Sequence, residues 1–138
     1  LNRDSMVLVA NELRAQYGPG YIVEQLYQRA HKLSEHVVIE SIRTPGEVNV
    51  LSGKKDFVLW SVDANQKERY ERIAQRASET DDISFDEFKQ NEQREMHANE
   101  PHEQNIAAVM KMATVHLTNN GTIEELHRQV DSVLEGKV

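Results

Sequence analysis

The chain has 138 residues, 38% of them hydrophobic, and a formal net charge of -7; that length suits one domain with a buried core and is too short for two of ordinary size. The acidic balance argues against a general nucleic-acid binder, whose affinity rests on neutralising phosphates, and the absence of cysteine excludes a disulfide scaffold or a cysteine-based zinc site. No apolar run approaches the roughly 20 residues needed to span a bilayer, and no basic-then-apolar leader precedes the first helix, so the expectation is a soluble, cytoplasmic protein with no membrane partner.

Asn2 to Gln16 reads as a helix, with Met6, Val7, Val9, Ala10 and Leu13 at roughly helical spacing, and the sequence YGPG at 17–20 stops it. Tyr21 to Leu33 reads as a second helix, in which Ile22, Val23, Leu26, Tyr27, Ala30 and Leu33 share a face. The pattern then changes to short apolar runs, VVIESI (37–42), FVLWSV (57–62) and TVHLT (114–118), each of strand length and rich in β-branched or aromatic residues.

Each run meets a helix start within a few residues. Thr44-Pro45-Gly46-Glu47 places Pro in the first turn and Glu at the capping-box position, and Asn65 to Glu68 and Thr122 to Glu125 repeat that spacing. Ser84 to Glu87 is a fourth such box, and a further helix is expected over about Glu103 to Ala113. Strand, turn and capped helix in succession predict an α/β domain with a parallel sheet, and apolar runs without alternation fit strands covered on both faces.

In an open parallel sheet, ligands sit beyond the carboxyl ends of the strands, where helix N-termini point. Glu40 to Arg43, Asp63 to Asn65 and Asn119 to Thr122 are all expected at such ends. A strand-end carboxylate such as Glu40 can hold Mg2+ through water, and Arg43 can fork onto a phosphate; the plainer alternative is that both pair with neighbours at the terminus. Arg69, Arg72 and Arg76 are three and four residues apart on one helix, so they share a face. Three guanidiniums there repel unless an anion joins them; Glu68 and Glu71 supply one answer and a polyphosphate another. The excess negative charge is concentrated in residues 79–100, where eight acids oppose only Lys89 and Arg94.

Other chemistries find little support. SGKK at 52–55 is not a phosphate loop, because Val48 stands where the first glycine belongs and Lys55 replaces the required Ser or Thr. His97 and His102 are five apart across Pro101, which is not metal-ligand spacing. Ser41 lacks the Gly-x-Ser-x-Gly elbow.

Read in series, NRDSMVLVANELRAQYGPGY, VVIESIRTPGEV, FVLWSVDANQKERYERIAQR, DDISFDEFKQNEQREM and TNNGTIEELHRQVD resemble the adenylate kinase-like P-loop kinases, over almost the whole chain and in the right order. The resemblance is to the branch labelled dephospho-CoA kinase-like or nucleoside and deoxynucleoside monophosphate kinase-like, some members of which are joined to a deoxycytidylate deaminase domain. It implies a three-layer parallel sheet of the P-loop nucleoside monophosphate kinase type, with ATP and Mg2+ as cofactors and a small nucleotide as partner. Within a single domain over 1–138, residues 1–34 would be acceptor-binding helices, 35–76 and 114–138 the core, and 77–113 a lid-like segment.

Residue by residue, the resemblance implies that Glu40 helps order the metal, with Glu where the family usually has Asp, and that Arg43 and Arg3 bind the acceptor. Arg72 and Arg76 would face the nucleotide phosphates, Arg94 would reach in from the lid, and Asn119, Asn120, Gly121 and Thr122 would contact the donor's adenine. The family's first strand and Gly-Lys-Ser/Thr loop do not occur in these residues. The expectation is therefore a fragment, inactive alone, of a parent with roughly 40 to 50 more residues before Leu1, the length of a strand, loop, helix and short strand. The implied function is ATP-dependent phosphotransfer to a nucleoside monophosphate or similar acceptor; the alternative is a non-catalytic nucleotide-binding regulatory module, attached in some relatives to a deaminase.

Overall fold

A computed structural model of the chain describes residues 2–76, 82–97 and 104–136. In chain order its elements are α1 (Arg3–Tyr17), α2 (Tyr21–His31), α3 (Pro45–Ser52), β1 (Trp60–Asp63), α4 (Gln66–Arg76), α5 (Phe85–Met96), α6 (Ile106–Met112), β2 (Val115–Thr118) and α7 (Ile123–Leu134). The class is α/β. β1 and β2 pair in parallel, Trp60 opposite Val115 and Asp63 opposite Thr118.

The run 37–42 departs from expectation: it joins no strand pairing, and Val38 is 95% exposed. Ser41 has φ 66, a left-handed conformation uncommon for a residue with a side chain, and one such residue breaks an extended ladder. The described sheet accordingly has two strands, fewer than the three expected from the apolar runs. Parts of the lid-like segment, residues 77–81 and 98–103, lie outside the described residues.

The chain forms two compact units, Leu1–Phe57 with Lys89–Met112, and Val58–Phe88 with Ala113–Val138. In the first, Val23, Val48, Leu51 and Val109 are buried together with Arg14, Thr44, Glu47, Glu95 and Gln104, a core unusually rich in polar groups. The reason begins on α1. Arg3, Val7, Ala10 and Arg14 lie at i, i+4, i+7 and i+11, so they form its inward stripe, whereas Met6 and Val9 are about half exposed. α1 thus carries two guanidiniums on its packed side.

α3 starts where the sequence places it. Thr44 Oγ1 accepts from the Glu47 N–H at 3.2 Å, and Glu47 Oε2 accepts from the Thr44 N–H at 3.1 Å, closing a capping box with Pro45 in the first turn. The start of α2 lies so close along α3 that a Cβ on Gly20 would meet Val50 Cγ2 at 2.1 Å, and one on Gly46 would meet the Pro19 Cβ at 2.2 Å.

In the second unit, Leu59, Phe88, Ala113 and Leu117 are buried. Tyr70 of α4 packs against Phe85 and Phe88, with ring centroids 5.1 and 5.5 Å away. The Gln129 side chain of α7 accepts from the Thr118 N–H at 2.9 Å and donates to the Thr118 carbonyl at 2.8 Å. It satisfies the backbone at the end of β2 much as a neighbouring strand would.

Candidate functional site

In the second unit, parallel pairing brings the carboxyl ends of β1 and β2 together, and α4 and α7 begin just beyond them. The loops after the two strands are joined: the Asn65 N–H donates to Asn120 Oδ1 at 2.7 Å, and the Asn119 N–H donates to the Asp63 carbonyl at 2.7 Å. Arg72, one turn and a half into α4, donates from Nη1 to the Asn119 carbonyl at 2.7 Å and from Nη2 to Glu68 Oε2 at 3.1 Å. Those two bonds use two of its five N–H donors, and its side chain is 40% exposed. Arg69 bonds Asp63 Oδ1 at 3.0 Å and also donates to the Ala64 carbonyl.

Thr122 caps α7, its Oγ1 accepting from the Glu125 N–H at 3.2 Å while Glu125 Oε2 accepts from the Thr122 N–H at 2.9 Å. Gly121 lies against that carboxylate; a Cβ there would meet Glu125 Oε2 at 1.6 Å, a contact the flexible end of Glu125 can relieve. Asn119, Asn120, Gly121 and Thr122 therefore lie at a strand-end edge, where the sequence places them, and Arg72 joins them through its bond to Asn119. Arg76 is the last residue of α4.

The first unit holds a separate guanidinium cluster. Arg3 grips Glu95 with two hydrogen bonds, Nε to Oε1 at 2.9 Å and Nη2 to Oε2 at 2.8 Å, and Arg43 Nη1 stands 3.5 Å from Oε2. The Glu95 side chain is 6% exposed, and those of Arg3 and Arg43 are 35% and 32%. Arg43's backbone is held on both sides: its N–H donates to Glu47 Oε2 at 2.8 Å and its carbonyl accepts from the Asn105 N–H at 2.8 Å. Glu47 is anchored in turn by Arg14, whose Nε lies 2.9 Å from Oε1. Arg94 of α5 bonds Asp4 Oδ1 at 2.9 Å near the start of α1.

Glu40 falls elsewhere. It is exposed, on the segment that joins no sheet, so the expected carboxylate at the end of a core strand is absent because the strand is. Among the described residues no group of three or more His, Asp or Glu side chains is placed to hold a metal ion. Outside these clusters, Glu24 has its carboxyl held below the ordinary carboxylate value, first by a hydrogen bond from Lys54 and second by one from Gln28.

Sequence reasoning missed Glu95 and the buried pair Arg14–Glu47. Glu95 sits in a strongly acidic stretch, where one more carboxylate looks solvated. Glu47 was legible as a capping residue but not as the partner of Arg14; an arginine on the α1 stripe that carries Val7 and Ala10 was the available signal.

No protein-family model matches the chain, and no solved structure matches it. It is similar to a UPF0200 protein of Thermococcus kodakarensis, at 23% identity over 98% of this chain and 73% of the relative. It is also similar to a UPF0200 protein of Staphylothermus marinus, at 24% identity over 96% of this chain and 67% of the relative. A third, from Methanocaldococcus jannaschii, is 28% identical over 83% of this chain and 53% of its own length.

Proposed function

We propose that this chain belongs to an ATP-dependent phosphotransferase acting on a nucleoside monophosphate or similar small nucleotide, built on the P-loop nucleoside monophosphate kinase type of three-layer sheet. The observation that carries the reading is Arg72 on the Asn119 carbonyl: a guanidinium with unused donors stands against the loop after β2, at the edge where open parallel sheets bind nucleotides. Phosphoryl transfer is chiefly positioning and charge stabilisation, and Arg72 is suited to both. Arg3 and Arg43, converging on one carboxylate, are the proposed contacts to the acceptor.

Among the described residues of the β1–β2 edge, Arg72 keeps donors that ATP would use, whereas the N–H groups of Asn65, Asn119 and Thr122 are already bonded. Bound there, ATP would supply the phosphoryl group, and the loop 119–122 would lie against its base. Magnesium does not fit the described residues: Glu40 is exposed and apart from the sheet, and among the described residues no acidic cluster accompanies it. A Gly-x-x-x-x-Gly-Lys-Ser/Thr loop does not occur in the 138 residues, so the reading requires that residues outside them cradle the donor phosphates. A quarter or more of the length of the Thermococcus and Staphylothermus relatives lies outside the match, which leaves room for such a segment.

Glu40's placement favours a second reading, a nucleotide-binding regulatory module that turns nothing over, of the kind joined to a deoxycytidylate deaminase. The experiment that separates the two is an assay of the full-length protein with Mg-ATP and a panel of nucleoside monophosphates and dephospho-CoA. Phosphorylated product from at least one acceptor is expected. Saturable nucleotide binding with no product from any acceptor would establish the regulatory module instead.

A further inference from the structure

Glu95 receives three guanidinium contacts and lies deeper than the arginines that make them, at 6% side-chain exposure against 35% and 32%. Two guanidiniums brought to one place repel each other, and a shared carboxylate beneath them removes that cost. Arg3 spends two of its donors on Glu95 and Arg43 one, so most of the ten N–H groups of the pair remain unspent on Glu95. About a third of each side chain is open to solvent. Arg43 is further fixed at its backbone by Glu47 and Asn105, and Glu47 by Arg14.

We propose that Glu95 is a positioning residue: it holds Arg3 and Arg43 together so that their remaining N–H groups jointly take a phosphate monoester. The inference rests on the acceptor role proposed above for these two arginines and adds the group that prepares them. Arginine side chains are long and lose rotamer freedom when ordered. A carboxylate that orders them beforehand lowers what the ligand must supply on binding.

Substitution at Glu95 has a diagnostic sign. Loss of its charge raises the bare attraction of the pair for anions, yet frees both side chains. If Glu95 positions the arginines, Glu95→Gln weakens anion binding despite the added positive charge; if it merely competes with the ligand, the same change tightens binding.

The test is calorimetric titration of the full-length protein with AMP, CMP and inorganic phosphate, at two salt concentrations. Wild type is expected to bind at least one nucleotide saturably, with phosphate competing. Glu95→Gln is expected to weaken that binding about tenfold or more and to make what remains more salt-dependent. Glu95→Asp, which keeps the charge, is expected to recover part of the affinity, and Arg43→Lys, which keeps charge but loses the fork, to lose several-fold. Should Glu95→Gln fail to fold, the Asp and Lys variants decide. Equal or tighter binding by Glu95→Gln, wild-type affinity in both Glu95→Asp and Arg43→Lys, or no saturable binding by wild type would overturn the inference. Glu95-dependent binding without phosphoryl transfer would remove the phosphotransferase and leave this site; transfer with an unchanged KM in Glu95→Gln would do the reverse.

Discussion

Arg14 and Glu47 form an ion pair at 2.9 Å with side chains 4% and 3% exposed, and the same carboxylate closes the cap of α3 and holds the Arg43 N–H. Removing one member strands a charge inside the first unit, so Arg14→Met and Glu47→Gln are each expected to cost about 3–5 kcal/mol in urea unfolding. The double substitution should cost less than the sum of the two, because the residues share one interaction. Simple additivity would mean that the pair is not energetically coupled.

The approach of α2 to α3 depends on residues without side chains. Gly20→Ala places a methyl group where Val50 Cγ2 already lies, 2.1 Å away, and is expected to destabilise by about 1–3 kcal/mol through overpacking. Val50→Ala in that background removes the clashing atom, so part of the loss should return in thermal melts. A further decrease of the full size expected for Val50→Ala alone would show that the two positions are not in contact.

Glu24 gives the first unit a pH dependence with a definite sign. Its carboxyl titrates below its ordinary value, chiefly because Lys54 donates to it. A depressed carboxylate contributes stability that is fully present above the unfolded-state value and is lost as pH falls through the folded value. The stability difference between wild type and Glu24→Gln should therefore be present at neutral pH and vanish in acid, and Lys54→Met should weaken its pH dependence, leaving only the smaller part that Gln28 holds. Equal acid sensitivity in all three proteins would contradict this.

Arg72 serves the fold and the proposed site together. Its ion pair with Glu68 is partly buried and contributes about 1 kcal/mol or less, and its bond to the Asn119 carbonyl adds about 1.5–3 kcal/mol, so Arg72→Ala should destabilise by about 2–4 kcal/mol in urea unfolding. ATP affinity in a titration should also fall. Retained affinity would place the nucleotide away from the β1–β2 edge.

Local signals in the sequence were informative where they act over a few residues. The capping boxes at Thr44, Ser84 and Thr122 all form their reciprocal hydrogen bonds, because a cap is decided by residues three apart. The strand at 57–62 is found as β1 four residues long, and that at 114–118 as β2. VVIESI failed as a strand because β-branched composition reports local preference, whereas strand pairing depends on distant backbone and here meets Ser41 at positive φ. Asp63 to Asn65 and Asn119 to Thr122 were placed at one sheet edge by topology; that Arg72 bonds the Asn119 carbonyl there is seen in the structure alone. Glu95 beneath Arg3 was not legible either: the partners are 92 residues apart, and nothing in an acidic stretch marks which carboxylate is buried.

Phosphoryl transfer is read directly by phosphorus NMR of the full-length protein given Mg-ATP and each nucleoside monophosphate in turn. A nucleoside diphosphate and ADP are expected in equal amounts from at least one acceptor, with kcat/KM reduced about tenfold or more by Arg72→Ala. Binding of ATP and acceptor with neither product, at enzyme concentrations approaching those of the substrates, would contradict phosphoryl transfer.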